Sequence, residues 1–110
     1  METIRFLVQG SAEQPYEVTF RKAGNNLSAA CTCPAGENGQ YCKHRFRILE
    51  GSTEAIVSGN TEQVPTVAAW LPGTDVAAGM QAVVSAERDF ERAKKIVTSA
   101  KKDLAAAMRS

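Results

Sequence analysis

Residues 31–44 read CTCPAGENGQYCKH and contain all three cysteines and the only histidine of a chain of 110 residues. Their order is Cys31-x-Cys33, eight intervening residues, then Cys42-x-His44. Structural zinc sites hold the ion in a tetrahedron of four thiolate and imidazole ligands. The sequence therefore predicts a structural Zn2+ site whose ligands are Cys31, Cys33, Cys42 and His44. Because the protein fills all four positions, none remains for water or substrate, and metal catalysis is not expected.

The spacing of these side chains also predicts the local backbone. Cys31 and Cys33 are two residues apart, which on an extended strand puts both sulfurs on one face. Pro34 prevents the strand from continuing in a paired ladder, and the small residues after it form a loop that reverses the chain. Two residues of a full helix are about 200° apart, so Cys42 and His44 converge only if Cys42 precedes the helix and His44 lies in its first turn.

Two other interpretations of the thiols fit less well. A redox pair usually has the spacing Cys-x-x-Cys, whereas the first pair here is Cys-x-Cys. A Cys-His nucleophile pair would leave two cysteines unexplained and lacks an obvious orienting partner. With no export signal in METIRFLVQG and no stretch of eighteen apolar residues, we expect a cytoplasmic, reducing environment and no membrane contact, and there clustered thiols more often bind metal.

The flanking sequence predicts a small antiparallel sheet and a short helix. Polar and apolar residues alternate in segments 3–8, 16–20 and 27–33, and the turn clusters GSAEQP and AGNN separate them. Asn25 and Asn26 tolerate positive φ and suit a tight hairpin. CKHRFRILEG is typical of a short helix that ends at Gly51. For residues 52–73 we expect one or two helical pieces, with capping-box spacing between Asn60 and Gln63 and with Pro65 in a first turn.

The metal motif and its surroundings resemble the SWIM zinc finger family over about residues 14–50. The similarity rests on CTCPAGENGQYCKH together with the preceding hairpin YEVTFRKAGNNLSAACTC and the following RFRIL. The resemblance implies a β-hairpin and a helix around one zinc ion, and a role in DNA binding or protein–protein interaction. It implies no enzyme activity here, because the chain has no helicase or transposase motif and no phosphate-binding glycine loop.

The remainder of the chain predicts one long helix. From Thr74 to about Met108 there is no proline, and Gly79 is the sole glycine. Apolar residues recur every seven positions, as at the a positions of a coiled coil: Val76, Val83, Phe90, Val97 and Leu104. Small residues recur three positions later, at the d positions: Gly79, Ala86, Ala93, Ala100 and Ala107. This stripe must meet another helix, from a second copy or from residues 52–73 folded back, unless the helix is partly buried in its own domain.

The predicted fold class is α+β: a small antiparallel β-meander with a zinc-bound short helix, then short helical pieces and a long C-terminal coiled-coil-like helix. We expect residues 1–51 to form the finger, residues 52–73 a helical connector, and residues 74–110 a helix for oligomerisation or interaction. The chain is 44% hydrophobic and 23% charged, within the globular range. A net charge of +1 neither supports nor excludes a local nucleic-acid-binding patch.

Two kinds of binding function remain open. Basic side chains on the hairpin and around the last two ligands could contact phosphates of DNA or RNA: Arg21, Lys22, Lys43, Arg45 and Arg47. Alternatively, some of them only offset the net charge of −1 left by three thiolates around Zn2+. The heptad helix favours protein–protein interaction, with a helical protein partner or a homodimer. We expect this to be the main function, DNA contact to be secondary, and neither an enzyme activity nor a small-molecule substrate.

Overall fold

A three-stranded antiparallel sheet opens the fold in the computed structural model, which describes residues 1–109. Strand β1 spans Glu2–Val8, β2 spans Tyr16–Ala23 and β3 spans Asn26–Cys31, in the order β1-β2-β3. The predicted meander is therefore confirmed. Ala23 pairs with Asn26, which leaves a two-residue hairpin loop, and its left-handed residue is Gly24 at φ 58°. The tight hairpin expected at AGNN is therefore present, and its positive φ lies at Gly24 rather than at an asparagine, because glycine adopts it without a Cβ clash.

The core lies on the face of the sheet that the alternating residues predict. Phe6 and Phe20 are fully buried and meet edge to face, with ring centroids 6.1 Å apart. Other fully buried side chains are Val18 of the sheet and Val64 and Val67 from later in the chain. With so few large buried side chains, burial of apolar surface alone stabilises this unit only marginally.

Within the described part of the chain, four α-helices and one 3-10 helix follow the sheet. Helix α1 spans Pro34–Glu37, α2 spans Lys43–Leu49, α3 spans Val64–Ala69 and α4 spans Asp75–Arg109. Helix α1 occupies part of the segment expected to be an irregular loop. Helix α2 ends before Gly51, which takes φ 95° as the predicted C-terminal glycine. Pro65 lies in the first turn of α3, also as predicted.

Residues 52–59 are not helical, which corrects one of the expected helical pieces. Ile56 instead forms an antiparallel bridge with Val8. The backbone N–H of Gln9 donates to the carbonyl of Ala55 at 2.8 Å, and that of Val57 donates to Leu7 at 2.8 Å. This segment therefore covers the outer edge of β1, which would otherwise present unpaired backbone groups.

Asn60 does not form the capping box that its spacing with Gln63 predicts. Its side-chain amide donates to the carbonyl of Arg5 at 2.8 Å and to Gln63 Oε1 at 2.7 Å. No backbone N–H of the following turn is capped by the Asn60 side chain. The residue ties the 3-10 helix Thr61–Gln63 to strand β1 instead.

The chain divides into two compact units, Met1–Ala77 and a second that starts at Ala78. Thr74 caps α4, since its Oγ1 accepts a hydrogen bond from the N–H of Ala77 at 3.2 Å. At 35 residues α4 matches the predicted length, and no residue of it is buried. None of the helices within residues 1–109 combines the length and the hydropathy that crossing a membrane requires.

Candidate metal centre

The ends of three short elements bring the four predicted ligands together. Cys31 is the last residue of β3, and Cys33 is the N-cap of α1 in an extended conformation. Cys42 is the N-cap of α2 with φ −139° and ψ 118°, and His44 is the second residue of that helix. The expected strand, reversal and helix start are thus present, and Cys42 lies ahead of the helix as the spacing requires.

The distances between ligand atoms fit one tetrahedral ion. All four ligand atoms lie within 4.8 Å of one another. His44 Nδ1 is 3.7 Å from Cys31 Sγ and 3.4 Å from Cys42 Sγ, and the sulfurs of Cys33 and Cys42 are 3.4 Å apart. Zn–S bonds of about 2.3 Å and Zn–N bonds of about 2.0 Å in a tetrahedron imply separations of roughly 3.5–3.8 Å. The three thiols are buried, so the donor set suits a closed structural metal site.

Gly36 supports the Cys33 ligand, and sequence reasoning did not single it out. Its backbone N–H donates to Cys33 Sγ at 3.3 Å. A Cβ on Gly36 would lie 2.4 Å from the carbonyl oxygen of Cys31 and 2.9 Å from the Cβ of Cys31. Helix α1 therefore approaches the end of β3 so closely that only glycine fits, and this contact packs α1 against the residue that carries the first ligand.

We expect Gly36→Ala to weaken the finger by roughly 1–3 kcal/mol, the usual cost of forcing extra atoms into a packed site. The clash is with backbone, which cannot move away without displacing Cys31. Thermal unfolding and competition with a chromogenic chelator would measure the loss of stability and of metal affinity.

Gly79→Ala is the matched control for that substitution. Nothing lies within 4 Å of a Cβ at this position, and it lies in α4. Its metal affinity should equal that of the wild type. Equal affinities for both variants would show that the close approach at Gly36 does not matter for the site.

His44 is oriented by aromatic packing as well as by its place on α2. The ring of Tyr16 lies against the imidazole, with centroids 5.2 Å apart and planes tilted by 46°. Gly10 leaves room for that ring, because a Cβ there would lie 2.4 Å from a carbon of Tyr16. Neither residue was identified from the sequence as part of the site, since both lie more than two dozen positions from His44, Tyr16 on β2 and Gly10 in the loop before it.

The environment keeps the His44 imidazole neutral. Burial lowers its pKa below the usual value, and the charges of Lys43 and Arg47 lower it further. Only the neutral ring coordinates a metal. These two cations therefore favour the ligating form of His44 although neither of them is a candidate ligand.

The buried thiols respond to their surroundings in opposite directions. Burial raises the pKa of Cys31 to about 12, which exceeds the opposing effect of the backbone N–H of Cys33. Burial also acts to raise the pKa of Cys42, but the backbone N–H of Arg45 and the neighbouring thiols outweigh it and lower that pKa. Cys31 must lose its proton when metal binds, so metal affinity falls as pH falls.

The five predicted basic contacts do not form one equivalent set. Arg45 binds backbone of the finger itself, because its guanidinium donates to the carbonyls of Ala29 at 3.3 Å and Gln40 at 2.6 Å. Lys43 and Arg47 are exposed, one turn apart on α2. Arg21 and Lys22 lie on β2, where the ammonium of Lys22 donates to the carbonyl of Gly24. Arg45 thus ties β3 to the residues before α2.

An aromatic pair lies beside this basic segment. Tyr41 and Phe46 are stacked, with centroids 4.8 Å apart and planes 16° from parallel. The Tyr41 side chain is 63% exposed, and the Arg45 guanidinium carbon lies 5.8 Å from the centroid of Phe46. Sequence reasoning found no aromatic platform, because the two rings are five positions apart and meet only through the turn at Cys42.

A sheet hairpin and two short helices that hold one Cys3His cluster define a small zinc-finger fold. Residues 6–50 match the family model of the SWIM zinc finger. This is the family that the metal motif resembles, and the match covers the sheet from Phe6 onward, the four ligands and α2. No curated protein and no solved structure shows significant similarity to the chain.

Proposed function

We propose that this chain is a zinc-stabilised binding module without catalytic activity, and that α4 is its main interaction surface. The observation that carries this proposal is the exposure of the apolar stripe on α4. Val83 is 37% exposed, Phe90 63%, Val97 52% and Leu104 62%. Large apolar side chains that recur at heptad spacing without cover are typical of a helix that pairs with another helix.

The finger and the helix have different parts in this proposal. The four ligands hold Zn2+, which stabilises a core too small to be secure without it. Three reduced thiols are required for that, which favours a reducing compartment such as the cytoplasm. The helix then presents a seam of apolar and small residues to a helical partner or to a second copy of the chain.

The test is the mass of the wild-type protein over a wide concentration series, measured by sedimentation equilibrium with zinc present. We expect the mean mass to rise toward that of a dimer, or a peptide with a complementary heptad pattern to bind with a gain in helical signal. A chain that stays monomeric and gains no helical partner under these conditions would contradict this function.

Nucleic-acid contact through the finger is the second candidate, and the Tyr41–Phe46 pair favours it. An exposed ring already stacked on another gives a base a flat surface, and base–aromatic stacking contributes about 1–3 kcal/mol per base. Lys43 and Arg47 are exposed on the next helix and are available to phosphates. Arg21 offers a further exposed cation on β2.

We expect the double substitution Lys43→Gln and Arg47→Gln to reduce the salt dependence of duplex DNA binding. Two lost phosphate contacts change the slope of log K against log salt by about 1.8. A titration at several salt concentrations measures it. Tyr41→Ala should weaken binding to single strands and leave the slope unchanged, because stacking releases no counterions.

The same double variant tests whether these two cations only offset the charge of the zinc site. Both charges lower the pKa of His44, so removing them raises that pKa and lets protons compete with zinc at higher pH. Zinc release would then shift to higher pH. A shifted release with no DNA affinity in the wild type would leave charge compensation as the role of both residues.

A further inference from the structure

We propose that the partner of α4 is a second copy of this chain that runs antiparallel, with Phe90 of each copy opposite Ala93 of the other. The inference rests on the proposed function and adds the identity, direction and register of the partner. Three observations on α4 support it: the sizes of the residues at a and d, the charges beside them, and the position of Lys94.

Packing distinguishes the two possible directions. In a parallel pair each a residue faces its own counterpart, so a wide Phe90–Phe90 layer would adjoin a narrow Ala93–Ala93 layer. In an antiparallel pair a residues face d residues, so every layer joins one large and one small side chain. Facing large and small residues lets layers interdigitate at native density.

One register satisfies this rule along the whole helix. With Phe90 opposite Ala93, Val83 lies opposite Ala100 and Val97 lies opposite Ala86. The outer layers continue the pattern, pairing Leu104 with Gly79 and Val76 with Ala107. Gly79, the smallest residue of the d stripe, thus meets Leu104, the largest aliphatic side chain of the a stripe. All five heptads contribute, and the two helix dipoles oppose each other favourably.

The flanking charges fit the same register. Antiparallel pairing brings e positions against e positions, so Glu87 of one copy meets Lys94 of the other, twice by symmetry. On the other flank, Asp89 meets Ile96 and Asp103 meets Ala82, so no like charges face each other. Such pairs fix register and direction more than they add affinity.

Lys94 already lies beside the seam in the single chain. Its ammonium is 5.3 Å from the centroid of the Phe90 ring and 3.5 Å from Glu91 Oε1. Both groups are exposed, so this arrangement holds the ammonium weakly. In the proposed dimer, the Lys94 ammonium of one copy therefore lies next to the central layer, close to Glu87 of the other copy.

Engineered disulfides test the direction. Ala86→Cys and Val97→Cys place one extra thiol at a d and at an a position. Mild oxidation with zinc bound should cross-link the two variants when they are mixed and should cross-link neither alone, because antiparallel pairing puts residue 86 against residue 97. Wild type and Ser85→Cys, at an outer c position, control for the zinc-bound thiols and for random collision.

The other outcomes identify which idea fails. Cross-linking of each variant with itself would show parallel pairing, which overturns this proposal and leaves self-association intact. A wild-type protein that is monomeric at the concentrations of the assay, with no cross-link in any mixture, overturns the second copy as partner. Capture of a helical peptide in that case would still support the proposed function.

Charge exchange tests the register independently. Glu87→Lys alone or Lys94→Glu alone should raise the dissociation constant on the order of tenfold, since two attractive pairs become repulsive. Together they should restore wild-type affinity. In a parallel pair Lys94 would face Asp89 instead, so Lys94→Glu would be rescued by Asp89→Lys and not by Glu87→Lys. Sedimentation equilibrium measures the dissociation constants of the wild type, the two single variants, and the combinations of Lys94→Glu with Glu87→Lys and with Asp89→Lys. Rescue by Asp89→Lys would overturn the proposal.

Discussion

Removal of the metal by a strong chelator should unfold the finger at room temperature. Structural zinc contributes on the order of 10–16 kcal/mol in finger peptides, whereas a whole domain has a net stability of about 5–15 kcal/mol. The sheet core has only a handful of fully buried side chains, and two of its three strands depend on the segment that carries the ligands. Loss of the ion also leaves three buried cysteines without the bonds to metal that would join β3, α1 and α2.

Cys33→Ser should reproduce this effect in the presence of zinc. Serine provides a hard hydroxyl in place of the thiolate, and its oxygen still accepts the N-cap hydrogen bond from the N–H of Gly36, so the substitution tests the metal ligand itself. We expect the free energy of unfolding to fall by several kcal/mol, which is an exceptionally large effect for a single substitution. Zinc content after dialysis and the thermal midpoint measure it.

Thr32→Ser is the matched control, one position away. It keeps the hydroxyl that accepts a hydrogen bond from the N–H of Glu17 at 2.9 Å, and its side chain is exposed. This variant should bind one zinc ion per chain and melt like the wild type. Full zinc content and unchanged melting of Cys33→Ser would exclude Cys33 as a ligand.

The ligands could be predicted because their chemistry is local. Cys-x-Cys and Cys-x-His each occupy three consecutive residues, and only the strand end and the helix start let both pairs converge. The ends of α4 were also close to prediction, because the heptads run uninterrupted and proline is absent from that stretch. Period and spacing are properties of a few neighbouring residues, so they can be read from the sequence without knowing the rest of the fold.

The supporting residues could not be predicted because their roles depend on distant contacts. Gly36 is special only because the backbone of Cys31 lies against it, and Tyr16 only because α2 brings His44 to its ring. Arg45 was grouped with the other cations by charge, yet it binds two carbonyls of the finger. Residues 55–57 lie where a helical piece was expected but pair with β1, whose free edge offers backbone partners that only the folded sheet supplies.

A charge at the centre of the α4 stripe should abolish association and spare the finger. Phe90 is 63% exposed in the single chain, so Phe90→Asp removes little packing from the folded monomer. In a paired helix the same carboxylate would be buried without a partner. That costs roughly 2–5 kcal/mol, or about a 30- to 5000-fold rise in the dissociation constant.

The control for this prediction adds the same charge on the outer face of the helix. Gln81 occupies an f position and is exposed, so Gln81→Asp should associate like the wild type. Light scattering gives the mass of each variant, circular dichroism its helical content, and a chelator assay its zinc content. If α4 folds alone, Phe90→Asp should lower the mass to that of a monomer and keep its helical and zinc contents. If pairing maintains the helix, the variant should lose helical content as well and still keep its zinc. An unchanged mass for Phe90→Asp would place the contact elsewhere, because no side chain at the centre of a seam tolerates an unpaired charge at so little cost.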